Sequence, residues 1–448
     1  MLRTFKKGGI HIPENKLTSG KKIVNLPAPR EVVVTFSQHI GALAVCCVKI
    51  GDKVKRGDMI AKANGPVSAN IHTPISGTVK KMGKSKTAFG YPADTVTIVA
   101  DDEDAAFDAS YQPKARDINE LDNLSSDDIK DIIADAGIVG LGGATFPTKV
   151  KLTPPSGMKA ELLIINGVEC EPYLTNDDSL MCECGEEIVD GIRYLMKAAN
   201  VDKAVIGIEN NKPAAIEEME RCCSKYDNIS VQPLKVKYPQ GGEKQLIEAI
   251  TGKQVPNGGL PIATGTIVQN VATAYAISRA VKYGEPLISR VVTVTGPNVS
   301  KPGNFRVMLG TPLLSVIEAA GGIPENTGKI ILGGPMMGKA LVALDAPTIK
   351  GVSGILLLPE EISERPTVDP CIRCGACVRG CPMGLEPYLF MSLVENEEWE
   401  LLHKHGILNC IECGCCSYQC PSHRPLVDFI RLGKASVNQM LRAQPKKQ

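Results

Sequence analysis

Two cysteine runs carry the clearest chemistry in this chain: CIRCGACVRGCP at residues 371–382 and CIECGCCSYQCP at residues 410–421. Both follow the spacing C-x2-C-x2-C-x3-C-P. Three thiolates two residues apart wrap a tight loop around one four-iron cubane, with backbone N–H groups turned toward its sulfides. The fourth cysteine, four residues later, reaches a second cubane. This crossover assigns Cys371, Cys374, Cys377 and Cys420 to one [4Fe–4S] cluster and Cys410, Cys413, Cys416 and Cys381 to another. Pro382 and Pro421 redirect the chain after each run. The competing reading is a pair of zinc sites, which also use C-x2-C pairs but tolerate looser spacing; two full copies with the same ending favour clusters. Cys415 falls outside the register and is read as a bystander. Nine of the sixteen cysteines lie between Cys371 and Cys420, so ligation rather than disulfide formation explains their number. Cys46, Cys47, Cys170, Cys182, Cys184, Cys222 and Cys223 lack cluster spacing and read as buried or free thiols.

A second region begins GIVGLGGATFPTKVKL at Gly137. Gly137, Gly140, Gly142 and Gly143 allow close backbone approach, and such loops turn N–H groups toward anionic phosphate. Lys149 and Lys151 add positive charge. The loop fits neither G-x-G-x-x-G nor the P-loop pattern, and by composition alone it reads equally well as a turn-rich structural segment.

Four segments in order change that weighting. GLGGATFPTKVK, ELLIINGVECEPYLTNDD, YPQGGEKQLIEAITG and TGTIVQNVATAYAI, spread over residues 137–280, resemble the motifs of the NADH-binding flavoprotein subunit of respiratory complex I. The chain departs from that pattern at Leu141, Lys149, Cys170 and Gly242, so the resemblance leaves the second-sphere hydrogen bonding and the nicotinamide orientation open. GGIHIPENK (8–16), VGLGGATFPT (139–148) and ECEPYLTNDD (169–178) resemble more specifically the C subunits of Rnf-type ferredoxin:NAD⁺ oxidoreductases, over about residues 3–434. The resemblance implies FMN, NAD(H) and two [4Fe–4S] clusters as cofactors. It implies membrane subunits and a ferredoxin-linked subunit as partners, with Na⁺ or H⁺ translocation elsewhere in the complex. Carried over by position, it places Gly140, Gly142, Gly143 and Lys151 along the FMN phosphate and ribityl chain, and Asn166 and Asn270 against the flavin or its ribityl hydroxyls. Glu169 and Glu171 fall at the isoalloxazine and nicotinamide as catalytic candidates, and Glu243 closes the nucleotide site. Each carboxylate reads alternatively as a helix cap or a surface group. A second resemblance, to the cobalamin reductases of diol-utilisation microcompartments, offers an alternative function.

These residues need elements to hold them. Leu162–Asn166 and Ala204–Ile208 are continuous apolar runs suited to buried parallel strands. Helices are expected over 184–199, 213–226 and 266–282, and from a Ser126 cap to Ala136. The βα alternation implies an α/β multidomain protein with a Rossmann-like FMN/NAD domain over 120–285, its ligand at the carboxyl ends of the strands. Residues 27–100 resemble a lipoyl-like barrel-sandwich, within an N-terminal unit 1–100. No lysine lies between Ala63 and Ser76, so a docking role is expected there in place of a carrier role. Residues 286–360 resemble a β-grasp SLBB module, and 361–435 a helical two-cluster ferredoxin domain. Residues 101–125 read as a linker, and 425–443 as an amphipathic helix.

The 448 residues carry a net charge of +1, which favours neither nucleic acid nor a membrane surface. No run approaches the roughly 18 apolar residues of a spanning helix. The expected location is the cytoplasmic face of the cell membrane, held there by partner subunits.

Overall fold

The apolar runs at Leu162–Asn166 and Ala204–Glu209 show no polar alternation, as suits strands covered on both faces. The structure, a computed structural model, describes residues 2–100 and 115–443. It sets these two strands in a four-stranded parallel sheet ordered Ile229–Leu234, Ala204–Glu209, Leu162–Asn166, Thr266–Asn270. The chain steps outward from Leu162–Asn166 through two strands on one side, then places Thr266–Asn270 on the other. That reversal opens a crevice between the carboxyl ends of Leu162–Asn166 and Thr266–Asn270, where open α/β sheets take their ligands.

The helix expected over 266–282 is corrected: Thr266–Asn270 is a strand, and the helix is Val271–Tyr283. All five strand residues are buried, and pairing with Leu162–Asn166 outweighs the helical pattern. Asn270 ends the strand and caps the helix, its Oδ1 accepting from Ala272 N at 2.9 Å. The helix Ser126–Asp135 starts from Ser125, one residue before the expected cap, in a reciprocal capping box with Asp128. Helices Gly185–Ala199 and Val271–Tyr283 approach closely at Gly191, where a Cβ would stand 1.8 Å from the Ala274 carbonyl oxygen.

Residues 31–100 fold as a small barrel of two sheets. One is ordered Glu31–Thr35, Pro92–Ala100, Gly77–Lys86, Lys53–Val54, and the other Val45–Cys46, Met59–Lys62, Ile71–His72. They close over Val32, Val34, Ile60, Ile71, Ile75, Val79, Val96 and Ile98. The loop without a lysine docks on the parallel-sheet domain: Asn70 Nδ2 donates to the carbonyls of Ala134 (3.3 Å) and Asp135 (3.4 Å). Residues 3–25 leave the barrel and act as a strap. Arg3 bridges to Leu234, Ile10 to Tyr238, and Ile23–Asn25 joins a six-stranded mixed sheet. That sheet is ordered Ile23–Asn25, Gly303–Met308, Ser289–Thr295, Gly354–Pro359, Thr327–Leu332, Lys339–Ala340.

The two short helices expected between the cysteine runs are Pro387–Glu395 and Trp399–Lys404, and the amphipathic helix is Leu426–Ala443. They pack around Phe390, Val394, Leu402, Ile407, Ile430 and Val437. Of the expected linker, residues 101–114 lie outside the described residues, and Ile118–Asn123 form a short helix. Among the described residues no helix is long and apolar enough to cross a membrane.

Candidate functional site

The crevice gathers residues from four distant stretches. Asn270 and Asn166 are register partners at the ends of their strands, and Asn270 Nδ2 lies 3.4 Å from the Asn166 carbonyl. Asn166 Nδ2 donates to Gly241 O at 2.9 Å, and its Oδ1 accepts from Val168 N at 3.2 Å. The glycine loop lies over Asn270. A Cβ on Gly142 would come within 3.4 Å of Asn270 Cβ, while one on Gly143 would meet nothing within 4 Å. Gly143 has φ +118°, which L side chains rarely adopt. Gly140 N closes the loop on Phe146 O at 2.8 Å, and Leu141 N donates to Thr273 Oγ1 at 2.9 Å. Lys151 reaches the same strand ends: its Nζ is 2.6 Å from Glu243 Oε1 and 3.3 Å from Val268 O.

Glu169 and Glu171 follow the first of these strands, and both have protein partners. Glu169 accepts from Asp177 N at 2.7 Å and Asp178 N at 3.2 Å, capping helix Asn176–Glu183. Burial pushes its carboxyl up to about 7, with Asp177 adding to the shift and Lys16 opposing it. Glu171 accepts from Met336 N at 3.1 Å and Met337 N at 2.8 Å, clasping a loop of the six-stranded-sheet domain. Burial pushes its carboxyl to about 7 as well, against the two N–H groups. Both carboxylates are thus buried and have cap-like backbone partners.

Residues that the sequence did not single out complete the site. Asp177 accepts from Asn270 Nδ2 at 2.7 Å, and burial raises its carboxyl. Lys212, 4% exposed, donates to Val168 O at 2.8 Å and lies 3.8 Å from Glu209. Lys16 donates to three carbonyls of the 169–174 loop. Tyr238 Oη donates to Cys413 O at 2.7 Å and reaches Glu171 Oε1 at 3.5 Å. Lys16, Asp177 and Tyr238 stand inside quoted motifs; Lys212 carried no signal. A cavity of about 270 Å³ lies behind the crevice, walled by Leu141, Asp177, Leu180, Ala272 and Tyr275. Leu141 of the glycine loop and Asp177, the partner of Asn270, both line it, so it adjoins the strand ends.

The two cysteine runs fold alike. Arg373 and Glu412, at equivalent positions, both have φ +56°, and Gly375 (+71°) and Gly414 (+83°) each precede a short helix. Cys381, Cys410, Cys413 and Cys416 line one cavity, as the crossover requires, and Cys415 lines it too. The remaining set lies farther out: Cys371 and Cys374 are exposed, and Cys377 is near enough to Cys420 to feel its charge. The inner set is held against the crevice by Tyr238 and by Gln245 Nε2, 3.4 Å from Met383 Sδ.

These residues fit the groups the resemblance implies. Cys381, Cys410, Cys413 and Cys416, soft thiols lining one cavity with Cys415 beside them, suit an iron–sulfur cubane. An open glycine cradle beside a lysine and two strand-end asparagines suits a flavin mononucleotide.

Known proteins agree. Residues 133–279 match the Nuo51 FMN-binding domain, 4–103 the RnfC barrel sandwich hybrid domain, 291–340 the SLBB domain, and 364–421 the 4Fe-4S dicluster domain. The C subunit of the ion-translocating oxidoreductase complex of Rhodobacter capsulatus is 43% identical, over 98% of this chain and 84% of the relative. The C subunit of the proton-translocating ferredoxin:NAD(+) oxidoreductase complex of Clostridium ljungdahlii is 44% identical, over 97% of this chain and 94% of the relative. Its counterpart in the Na(+)-translocating ferredoxin:NAD(+) oxidoreductase complex of Acetobacterium woodii is 41% identical, over 97% of each chain. A chain of an NAD+-reducing [NiFe]-hydrogenase aligns over 73% of this chain and 71% of its own, with TM-score 0.49 and 19% identity. FMN, two [4Fe–4S] clusters and NAD(H) are therefore the cofactors of this fold. With near-complete coverage at this identity, the chain belongs to the family of C subunits of Rnf-type ion-translocating oxidoreductase complexes.

Proposed function

We propose that this chain exchanges electrons between NAD(H) and its two clusters through FMN, as the peripheral subunit of a membrane complex. Bound FMN supplies the conversion between a hydride's electron pair and the single electrons that clusters carry. Gly140, Gly142, Gly143 and Lys151 hold its phosphate and ribityl chain, and Asn166 and Asn270 line its face. Glu169 and Glu171 stand where the nicotinamide meets it, and Glu243 closes the nucleotide site. The protein's task is to fix the reacting atoms and exclude water.

The observation that carries this reading is the contact of Glu171 and Cys413 with one side chain, Tyr238. It supports a nicotinamide rim that lies beside the inner cluster set. Cys371, Cys374, Cys377 and Cys420 would hold the second cubane, and the exposed Cys371 and Cys374 would turn it toward a partner. Ferredoxin coupling and Na⁺ or H⁺ movement belong to partner subunits, and the chain docks at the cytoplasmic face. The relatives' names support membership in an ion-translocating ferredoxin:NAD(+) oxidoreductase complex, and they differ between themselves in the coupling ion.

Anaerobic purification tests the reading. NADH should bleach the flavin bands, and electron paramagnetic resonance should then show reduced four-iron clusters. Material that holds zinc, or that binds no flavin, would end it.

A further inference from the structure

We propose that Lys16 is a positioning residue of the nicotinamide site: its ammonium gathers three carbonyls of the 169–174 loop and so holds the rim on which Glu169 and Glu171 stand. This rests on the functional reading above. Lys16 Nζ lies 2.8 Å from Glu169 O, 2.8 Å from Glu171 O and 2.7 Å from Leu174 O. An ammonium has three donors and no acceptor, so each proton is used, and every one goes to the same loop. The loop needs the help. Glu169 (φ +47°) and Tyr173 (φ +70°) both sit in the left-handed region, where a side chain is strained.

The strap supplies a second anchor: Tyr173 N donates to Glu14 O at 2.9 Å. Lys212 holds the start of the loop through Val168 O at 2.8 Å. Two enclosed ammoniums thus lie under one loop. Burial, then Lys212, lower the Lys16 pKa, while Glu169 and Glu209 oppose the shift. The segment that carries Lys16 lies outside the parallel-sheet domain, more than 150 residues from the loop it holds. The strap also reaches the inner cluster set, with Gly9 N donating to Gly380 O at 3.0 Å. A Cβ on Gly8 would stand 2.3 Å from Cys381 O. One short stretch therefore fixes the rim at one end and a cluster-binding loop at the other.

The test uses the full chain, purified anaerobically with FMN and both clusters. Flavin reduction is followed by stopped flow against NADH concentration, and the flavin midpoint potential is measured separately. Lys16→Met should keep its FMN, iron and sulfide. It should weaken NADH binding roughly tenfold, the loss expected for charge-assisted hydrogen bonds. Its flavin midpoint should move to more negative values, because a nearby enclosed positive charge has gone. Lys16→Arg keeps the charge and should hold the midpoint close to wild type. Wild-type NADH affinity and midpoint in Lys16→Met overturn the proposal. If Lys16→Met does not fold, Lys16→Gln replaces it; if Lys16→Arg alone folds, the lysine is structural glue and the proposal also fails. A wild-type flavin that NADH cannot reduce sinks the functional reading instead.

Discussion

Tyr238 donates its hydroxyl to the main-chain carbonyl of Cys413 at 2.7 Å while lying 3.5 Å from the Glu171 carboxylate. One buried phenol thus touches both the loop that follows strand Leu162–Asn166 and the second cysteine run. The arrangement links three domains, because Glu171 also clasps Met336 and Met337 of the six-stranded-sheet domain.

Tyr238→Phe leaves the ring and removes the donor, so a buried carbonyl loses its partner. A loss of about 1–2 kcal/mol in stability is expected. NADH should still reduce the flavin at the normal rate, but the inner cluster should fill more slowly in freeze-quench spectra. Equal cluster filling in mutant and wild type would show that Tyr238 plays no part in the relay.

Cys377→Ala removes one thiolate from the outer set. About half the iron and sulfide should be lost, since each cubane is held by its own four ligands. Transfer from NADH to flavin should persist. Loss of flavin reduction in a folded mutant is the result that breaks the division between crevice and clusters.

Lys151→Ala separates phosphate binding from ring binding. FMN should bind roughly ten- to a hundredfold more weakly, because a charge-assisted contact is removed. Riboflavin, which has no phosphate, should bind mutant and wild type alike. Fluorescence titration of flavin-stripped protein distinguishes the two.

Glu171→Ala leaves the N–H groups of Met336 and Met337 without their acceptor and frees the 333–338 loop. NADH-driven flavin reduction should slow by roughly ten- to a hundredfold, as misplaced reacting groups do. Iron and sulfide content should be unchanged. An unaltered rate in stopped flow would remove Glu171 from the rim.

Lys350 gives a pH signature. Its Nζ is fully buried and donates to Asn70 O and Gly137 O, both at 2.7 Å, joining the barrel, the parallel-sheet domain and the six-stranded-sheet domain. Burial pushes its pKa down to about 7. Between that value and about 10.4, the unfolded chain holds a proton that the folded chain does not, so stability rises with pH across this window. Below about 7 the folded state carries the buried charge and this gain is gone. Lys350→Met should lower Tm, at a cost of about 2–4 kcal/mol from two orphaned carbonyls, and should flatten the rise between about pH 7 and 9.5. An unchanged slope in the mutant assigns the pH dependence to other groups.

The sequence by itself determined what is local. The cysteine ligands are legible because a cubane demands a fixed spacing within twelve residues. The strands Leu162–Asn166 and Ala204–Glu209 are legible because burial on both faces requires unbroken apolar runs. The strand at Thr266–Asn270 was not, because a short apolar run next to a helix carries no period of its own. Only the tertiary structure decided the pairs Lys16 with Glu169 O, Lys151 with Glu243, Asp177 with Asn270 and Tyr238 with Cys413. Each joins groups far apart in the chain. A buried donor must find an acceptor, but which acceptor it finds depends on how whole domains come together, and hydrophobic periodicity does not record that.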